Sequence, residues 1–439
     1  MNYLTKIYRN YNHTYQGQRN FFFPKNTKEL IHIFKILKKK KIKPLIISGS
    51  CGYGDKSFLK KNTFIINLKK FDKFKKINLN KKFIIAQSGV NLSKLSLYLD
   101  KKKHFLFNIP GGKNVSIGGA ISGNVHGRPQ NKKFSSFGDN VLNLKILDKN
   151  LKIKTYTRKN INFKNIIGSF GSEGIILEAK IKIHNLKDDY LEQKQQKIYG
   201  KKNFLFFDKN HKSYYGILDY FNKKEFFANF VYFAKTKKKT NKSKREFRLF
   251  KYINFFKLDK LISFIINKYT LKILYFFLFY TKKNLSKSKI IPFWKSLYFE
   301  NINNYLPFYF KDGMIEIQFS VEKKKLFKII DSLKKIQNYN NVYPIFFILK
   351  KMEKSSKKYF LNFPLYNHSI SLGYSKSDVI KNKTFFKKLY KLLFYFRTNI
   401  YLTKDETILD FCPNFKNKIK KKITNDRLIS NSFYEKVFK

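Results

Sequence analysis

At 439 residues the chain has room for two domains, each able to bury its own core, and 43% hydrophobic residues exclude a disordered polymer. The net charge of +65 invites a nucleic-acid or anionic-membrane partner, but only eight of the 93 basic residues are Arg, and they are scattered. A dedicated nucleic-acid surface needs clustered Arg or basic residues interleaved with aromatics, so no specific nucleic acid is expected. Lys, Asn, Ile, Phe and Tyr are enriched together, as drift in an AT-rich genome would leave them. Such a surface still attracts phosphorylated substrates and lipid headgroups. Two unpaired cysteines, Cys51 and Cys412, fit a reducing compartment, and the opening residues carry no apolar signal run. A cytoplasmic location, possible at the periphery of the inner membrane, is the expectation.

In chain order, residues 20–185 alternate α and β patterns. Asn26-Thr-Lys-Glu29 has capping-box spacing, and Leu30, Ile33, Phe34 and Leu37 follow at helical period. Residues 44–47, 64–68 and 83–86 read as short buried strands, and Leu92, Leu95 and Leu99 as a helix. The spacing is too short for repeated βαβ units, which predicts a mixed α+β arrangement rather than a doubly wound sheet. The pattern weakens from about 185 to 245, where the basic run 235–244 reads as a solvated loop. The apolar run 273–281 is about half the length of a membrane span. It predicts a buried or lid element, with contact at a bilayer surface, together with the run from Leu261, as the other reading. Residues 314–321 alternate as a strand, followed by a helical stripe at Leu326, Ile329, Ile330 and Leu333. Strands at 344–349 and 368–372 and a helix through Phe386, Leu389, Leu392, Leu393 and Phe396 complete a second α+β domain. Its antiparallel sheet is expected to be covered on one face. No internal repeat is evident, and no metal-ligand pattern is found.

Three glycine clusters lie beside strand-like runs: Ser48-Gly-Ser-Cys-Gly-Tyr-Gly-Asp55, Ser116-Ile-Gly-Gly-Ala-Ile-Ser-Gly-Asn-Val-His-Gly127 and Gly168-Ser-Phe-Gly-Ser-Glu-Gly174. A backbone without Cβ atoms can lie flat against a large planar or phosphorylated ligand. His126 ends the central cluster, where an ionisable ring could meet a substrate.

These residues resemble the FAD-linked oxidoreductases of the vanillyl-alcohol-oxidase type, with a PCMH-type FAD-binding domain, and within them most resemble the decaprenylphosphoryl-ribose 2′-oxidase family. Cys51-Gly-Tyr-Gly-Asp55 resembles a Ser-Tyr-Gly-Asp loop of that family. Pro110-Gly111 through Ser116-Ile-Gly-Gly-Ala-Ile121 to His126-Gly127 resembles its central flavin motif. Ser135-Ser-Phe-Gly-Asp-Asn-Val141 and Ile400-Tyr-Leu-Thr-Lys-Asp405 resemble two further elements. Weaker likeness continues through Cys412-Pro-Asn-Phe415 and Asp426-Arg-Leu-Ile-Ser430. The resemblance implies an FAD domain over residues 1–185, a substrate domain over 186–399, and a segment 400–439 returning to the FAD domain.

By the same resemblance, Gly49, Ser50, Cys51, Gly52, Tyr53, Gly54 and Asp55 form a nest for the FAD diphosphate. Gly111, Ser116, Ile117, Gly118, Gly119, Gly123 and Val125 line the diphosphate and flavin edge, and Ile175 and Tyr401 face the cofactor. Tyr53 stands where many relatives carry a flavin-attaching histidine, so the FAD is expected to be non-covalent. His126 positions the flavin or substrate, Lys404 lies beside the substrate hydroxyl, and Asn367 and Lys350 contact substrate. Ser369 replaces a reactive cysteine. The implied activity oxidises a secondary hydroxyl of a sugar, carried on a polyprenyl phosphate, by hydride transfer to flavin N5. An NAD(P)H-dependent keto-sugar reductase is the implied partner enzyme. Oxidation of a free alditol, an aldonolactone or a 2-hydroxy acid, a basic nucleic-acid-binding protein, and a folded but inactive flavoprotein remain the alternatives.

Overall fold

The computed structural model describes residues 3–58, 64–222, 225–236, 268–280, 288–298, 312–355, 359–360, 362–423 and 426–438. Residues 237–244 of the basic run and the run 261–267 lie outside them.

The first helix, Thr27–Lys39, starts as its sequence dictates. Asn26 Oδ1 accepts the Glu29 N–H at 3.0 Å, and the Glu29 carboxylate accepts the Lys25 N–H at 2.8 Å, satisfying donors that the first turn leaves open. Its stripe of Leu30, Ile33, Phe34 and Leu37 packs with Phe22, Ile66, Leu147 and Leu177, which belong to two different sheets. One is four-stranded, in the order Leu4–Arg9, Gln16–Phe22, Phe64–Asn67, Leu45–Ile47, and contains the chain's parallel pairings. The other is five-stranded and antiparallel, in the order Phe74–Asn78, Phe83–Gln87, Ile175–Lys182, Val141–Leu147, Ile153–Thr157. Mixed pairing with short connections agrees with the α+β expectation.

The described strands from Tyr190 to Ile400 build one antiparallel eight-stranded sheet. Its order is Ser288–Pro292, Tyr190–Tyr199, Phe227–Lys235, Tyr214–Leu218, Phe346–Lys351, His368–Ser375, Met314–Val321, Asn399–Ile400. Three of these strands, with helix Lys201–Asn210, fall where the sequence pattern weakens, and Lys235 ends a strand rather than opening a loop. Glu192, Gln193, Lys194, Gln195, Gln196 and Lys197 run consecutively through the strand Tyr190–Tyr199, which hides its period of two.

In the central strands the alternation sorts side chains cleanly. Ile315, Ile317, Phe319 and Val321 join Ile370, Leu372, Phe347 and Leu349 under helices Leu326–Asn340 and Lys383–Tyr395 in the largest apolar cluster. The other face carries Glu316, Gln318, Ser320, Ser369 and Ser371, and it too is buried. A sheet covered on one face only was the expectation. The polar face is covered by the N-terminal domain.

The turn 10–15 ties these parts together. Asn12 exchanges backbone and side-chain bonds with Met314, at 2.8 and 2.7 Å, and its Oδ1 accepts the Gly54 N–H at 2.8 Å. Its amide also donates to Glu406 at 3.2 Å, and Thr14 donates to the same carboxyl at 3.1 Å. The C-terminal segment packs against the first sheets: Ser430 N–H donates to Pro44 O at 3.1 Å, Ser432 N–H to Phe58 O at 2.7 Å, and Tyr434 Oη to Ser169 O.

Burial, with the Asp55 carboxylate next to it, pushes the Glu406 carboxyl up to about 8. A folded-state value above the unfolded one means that the stabilisation is complete below the unfolded value and is lost as pH rises through about 8. Thermal melting followed across pH 4 to 9 is expected to fall along this limb. Glu406→Gln should flatten it, and an unchanged slope in that variant would assign the limb elsewhere.

Candidate active site

The first two glycine loops meet. Loop 48–55 follows strand Leu45–Ile47, and a Cβ on Gly49 would lie 2.0 Å from Asn114 O and 2.8 Å from Ser116 N. Only glycine permits that approach. Ser116 Oγ accepts the Gly119 N–H at 3.2 Å and opens helix Ile117–Ser122, while the Gly118 N–H donates to Ser88 O at 2.8 Å. Gly119 is exposed, and Gly111 and Gly118 are half-buried. Ser48 Oγ and Ser88 Oγ are buried in the same region without a protein partner. Ser50 is exposed at φ 52°, and Cys51 Sγ donates to Gly49 O at 3.2 Å.

Several residues assigned to the cofactor face inward instead. Gly54, at φ +49°, gives its N–H to Asn12, and a Cβ there would meet the Glu406 carboxyl at 2.0 Å, so it serves a turn and not a nest. The Gly52 carbonyl accepts from Ser57 Oγ at 2.7 Å. Asp55 is fully buried between Lys56 at 2.7 Å and Lys436 at 3.5 Å. Gly123 lies against Thr403, whose hydroxyl donates to its carbonyl at 2.7 Å. Ile117 and Ile175 are core residues of two apolar clusters, and Val125 packs against the first of these.

Across the central glycine helix lies the polar face of the eight-stranded sheet. His126 packs against the rings of Tyr401, at 4.8 Å, and Phe363, at 5.0 Å, which stack on each other at 4.5 Å. Its Nε2 receives the Gln318 amide at 3.2 Å, and the same amide donates to Ser369 Oγ at 2.8 Å. Burial first, then Lys350 and Lys404, hold the imidazole well below its ordinary pKa, so it is neutral. With Nε2 accepting, the proton sits on Nδ1, which is buried and has no protein partner. His126 therefore presents a donor to whatever occupies the space beside it.

Lys404 binds Glu316 at 2.7 Å, and Ser371 donates to the same carboxylate oxygen. Burial works against ionised Glu316, but Lys404 and Lys350 outweigh it and keep the carboxyl below its ordinary value. The Lys404 ammonium also stands 5.5 Å over the Tyr53 ring, which packs on Tyr11 at 5.2 Å. Burial and Glu316 raise the Tyr53 phenol, keeping it neutral. Lys350 is lowered to about 7 by burial and by Lys404, with Arg128 adding to the effect. Arg128 itself lies between the rings of Tyr215 and Phe233, at 4.7 and 4.9 Å.

His126, Lys404, Lys350, Tyr401 and Tyr53 are thus brought together. Asn367 is not: it is exposed just before strand His368–Ser375 and donates to Met352 O at 3.3 Å. Sequence reasoning missed Glu316, Gln318, Ser371, Tyr11 and Arg128. The available signal was a strand whose alternate positions are Glu, Gln and Ser, which in isolation reads as an ordinary solvent face.

The residues present fit an FAD. The two glycine loops meet at Gly49 and Ser116, and orphaned polar atoms of Ser48, Ser88 and His126 point to a polar ligand nearby. Residues 19–156 match the family described as FAD binding domain. Among solved structures, cholesterol oxidase from Brevibacterium sterolicum superposes with TM-score 0.73 at 11% identity, covering 100% of this chain and 97% of that one. Berberine bridge enzyme, as a variant in complex with (S)-reticuline, gives TM-score 0.60 at 16% identity over 96% and 85%. The BBE-like 1 protein of Physcomitrella patens gives 0.60 at 14% over 94% and 91%. No curated protein matches the chain by sequence. Residues 19–156 thus carry an FAD binding domain, and the two-part α+β fold is shared with these solved structures. Replacing Gly49 by Ala should force the glycine loops apart and weaken FAD binding at least about tenfold, roughly 1.4 kcal/mol, in a flavin fluorescence titration. Unchanged affinity would remove this loop contact from the cofactor site.

Proposed function

We propose that the chain is an oxidoreductase that holds FAD non-covalently and oxidises a secondary hydroxyl of a sugar carried on a polyprenyl phosphate. The observation that carries this reading is the coupled group of Lys350, Lys404 and Glu316 on the polar sheet face beside His126. Oxidising a CH–OH group needs a base for the hydroxyl proton and a cation for the developing oxyanion. Lys350, titrating at about 7, supplies the base, and Lys404, held by Glu316, supplies the cation. Bound FAD would accept the hydride at N5 of its ring.

The walls suit a polyol. Gln318 Oε1 and Ser320 Oγ are buried without a protein partner and offer hydrogen bonds to further hydroxyls. Lys404 and Lys350 act on the Glu316 carboxylate and Arg128 acts on Lys350, a positive excess that suits a phosphate nearby. In the loop 48–55 no histidine is available for covalent attachment, and burial pushes the Cys51 thiol up to about 12, suppressing its thiolate. On this reading residues 1–185 bind the cofactor, 186–399 cover it, and 400–439 complete the cofactor domain. The keto product would pass to an NAD(P)H-dependent reductase. A 2-hydroxy acid is the second reading, because the same positive excess would take a carboxylate.

Anaerobic mixing of the FAD-loaded protein with glycosyl polyprenyl phosphates, alditols, aldonolactones and 2-hydroxy acids separates these classes by which one bleaches the flavin. With the productive substrate, the rate should rise with pH through about 7 as Lys350 loses its proton. Lys350→Met is expected to abolish that limb and slow reduction by about 10²- to 10⁴-fold. A pH-independent rate in the unaltered protein would rule Lys350 out as the base.

A further inference from the structure

The apolar run in the substrate domain forms helix Lys268–Tyr280, and its two faces have opposite fates. Leu271, Tyr275 and Phe279 point inward. Tyr275 packs on Tyr220 at 4.8 Å, Phe279 on Phe227 at 4.8 Å, and the Tyr280 hydroxyl donates to Asp219 at 3.1 Å. Lys197 Nζ donates to Phe279 O at 2.6 Å. The helix is therefore firmly seated. Its outer side is apolar as well: Ile273 is 55% exposed, Leu274 47% and Phe276 54%, with Tyr280 continuing the row one turn on. Ile273, Phe276 and Tyr280 stand at i, i+3 and i+7, one line along the helix. A helix that needed only to cover its sheet would carry polar residues there.

Charge names the occupant. From residue 260 to 299 the sequence contains eight lysines and no acidic residue, Lys272 on the helix and Lys282 and Lys283 just after it among them. Lys272 is exposed. Apolar and aromatic side chains in a stretch of sequence rich in lysine and without acidic residues match the acyl and headgroup layers of an anionic bilayer. A second copy of the chain would bring its own lysines against these. Among the described residues, no helix is long and apolar enough to cross a membrane, so the contact is made in the interface plane.

We propose that the outer face of helix Lys268–Tyr280 docks the protein on anionic phospholipid bilayers, with Ile273, Leu274 and Phe276 entering the acyl layer and Lys272 meeting the headgroups. The surface is independent of the substrate's identity, and its test does not depend on catalysis.

The full chain would be mixed with vesicles of phosphatidylcholine and phosphatidylglycerol. A Phe276→Trp variant should be quenched by lipids brominated in their acyl chains. Binding of the unaltered protein should persist in part at about 1 M salt, where screening shortens to about 3 Å and lysines alone no longer hold it. Ile273→Ser with Phe276→Ser should weaken partitioning roughly tenfold or more without lowering the melting temperature. Loss of all binding at high salt, or an unquenched Phe276→Trp variant, would overturn the proposal. So would a concentration-dependent dimer in sedimentation that the double substitution abolishes, since the face would then be covered by a second copy.

Discussion

Polar atoms sealed between two layers of protein must find partners, and that constraint organises this molecule. The central strands turn one row of side chains into the largest apolar cluster and the other row toward the N-terminal domain. Water cannot serve the second row freely, and each buried group left unsatisfied costs about 1–3 kcal/mol. Most are therefore answered within the protein: Glu316 by Lys404 and Ser371, and the Gln318 amide by His126 and Ser369. The atoms left over, His126 Nδ1, Gln318 Oε1 and Ser320 Oγ, mark where the protein ends and a ligand begins.

The same enclosure sets the charge states. Desolvation alone would neutralise Glu316, but two lysines nearby keep it ionised, while burial and Lys404 bring Lys350 toward neutrality. A neutral imidazole, a lysine brought toward neutrality and an ion-paired lysine stand in one cluster, and the proposed acid–base role rests on that arrangement. Turn 10–15 and the C-terminal segment hold the two domains in register around it, through Asn12, Thr14, Glu406 and Lys436. This arrangement places the tail of the chain in the architecture that supports the site.

Local structure was legible wherever the signal was itself local. The cap at Asn26, the stripe of helix Thr27–Lys39, the strand Met314–Val321 and the helix beginning at Leu326 all follow from spacing alone. The glycine clusters were visible because a missing Cβ is written in the sequence, and His126 stood out within them. The strands between 190 and 235 were hidden because the first carries six polar residues in succession. Glu316 and Gln318 were hidden for a different reason: whether the polar row of a strand meets solvent or another domain is a property of tertiary packing. Gly54, Asp55 and Ile175 show the converse, where residues inside or near a recognisable pattern serve turns, ion pairs and cores.

A visible absorption spectrum of the purified protein, repeated on the supernatant after acid precipitation, tests the central claim most directly. The meeting of the two glycine loops and the absence of a histidine in loop 48–55 predict flavin bands that pass into the supernatant. Colour retained in the pellet would contradict non-covalent binding. A protein that stays colourless even after FAD is added would contradict the cofactor site itself.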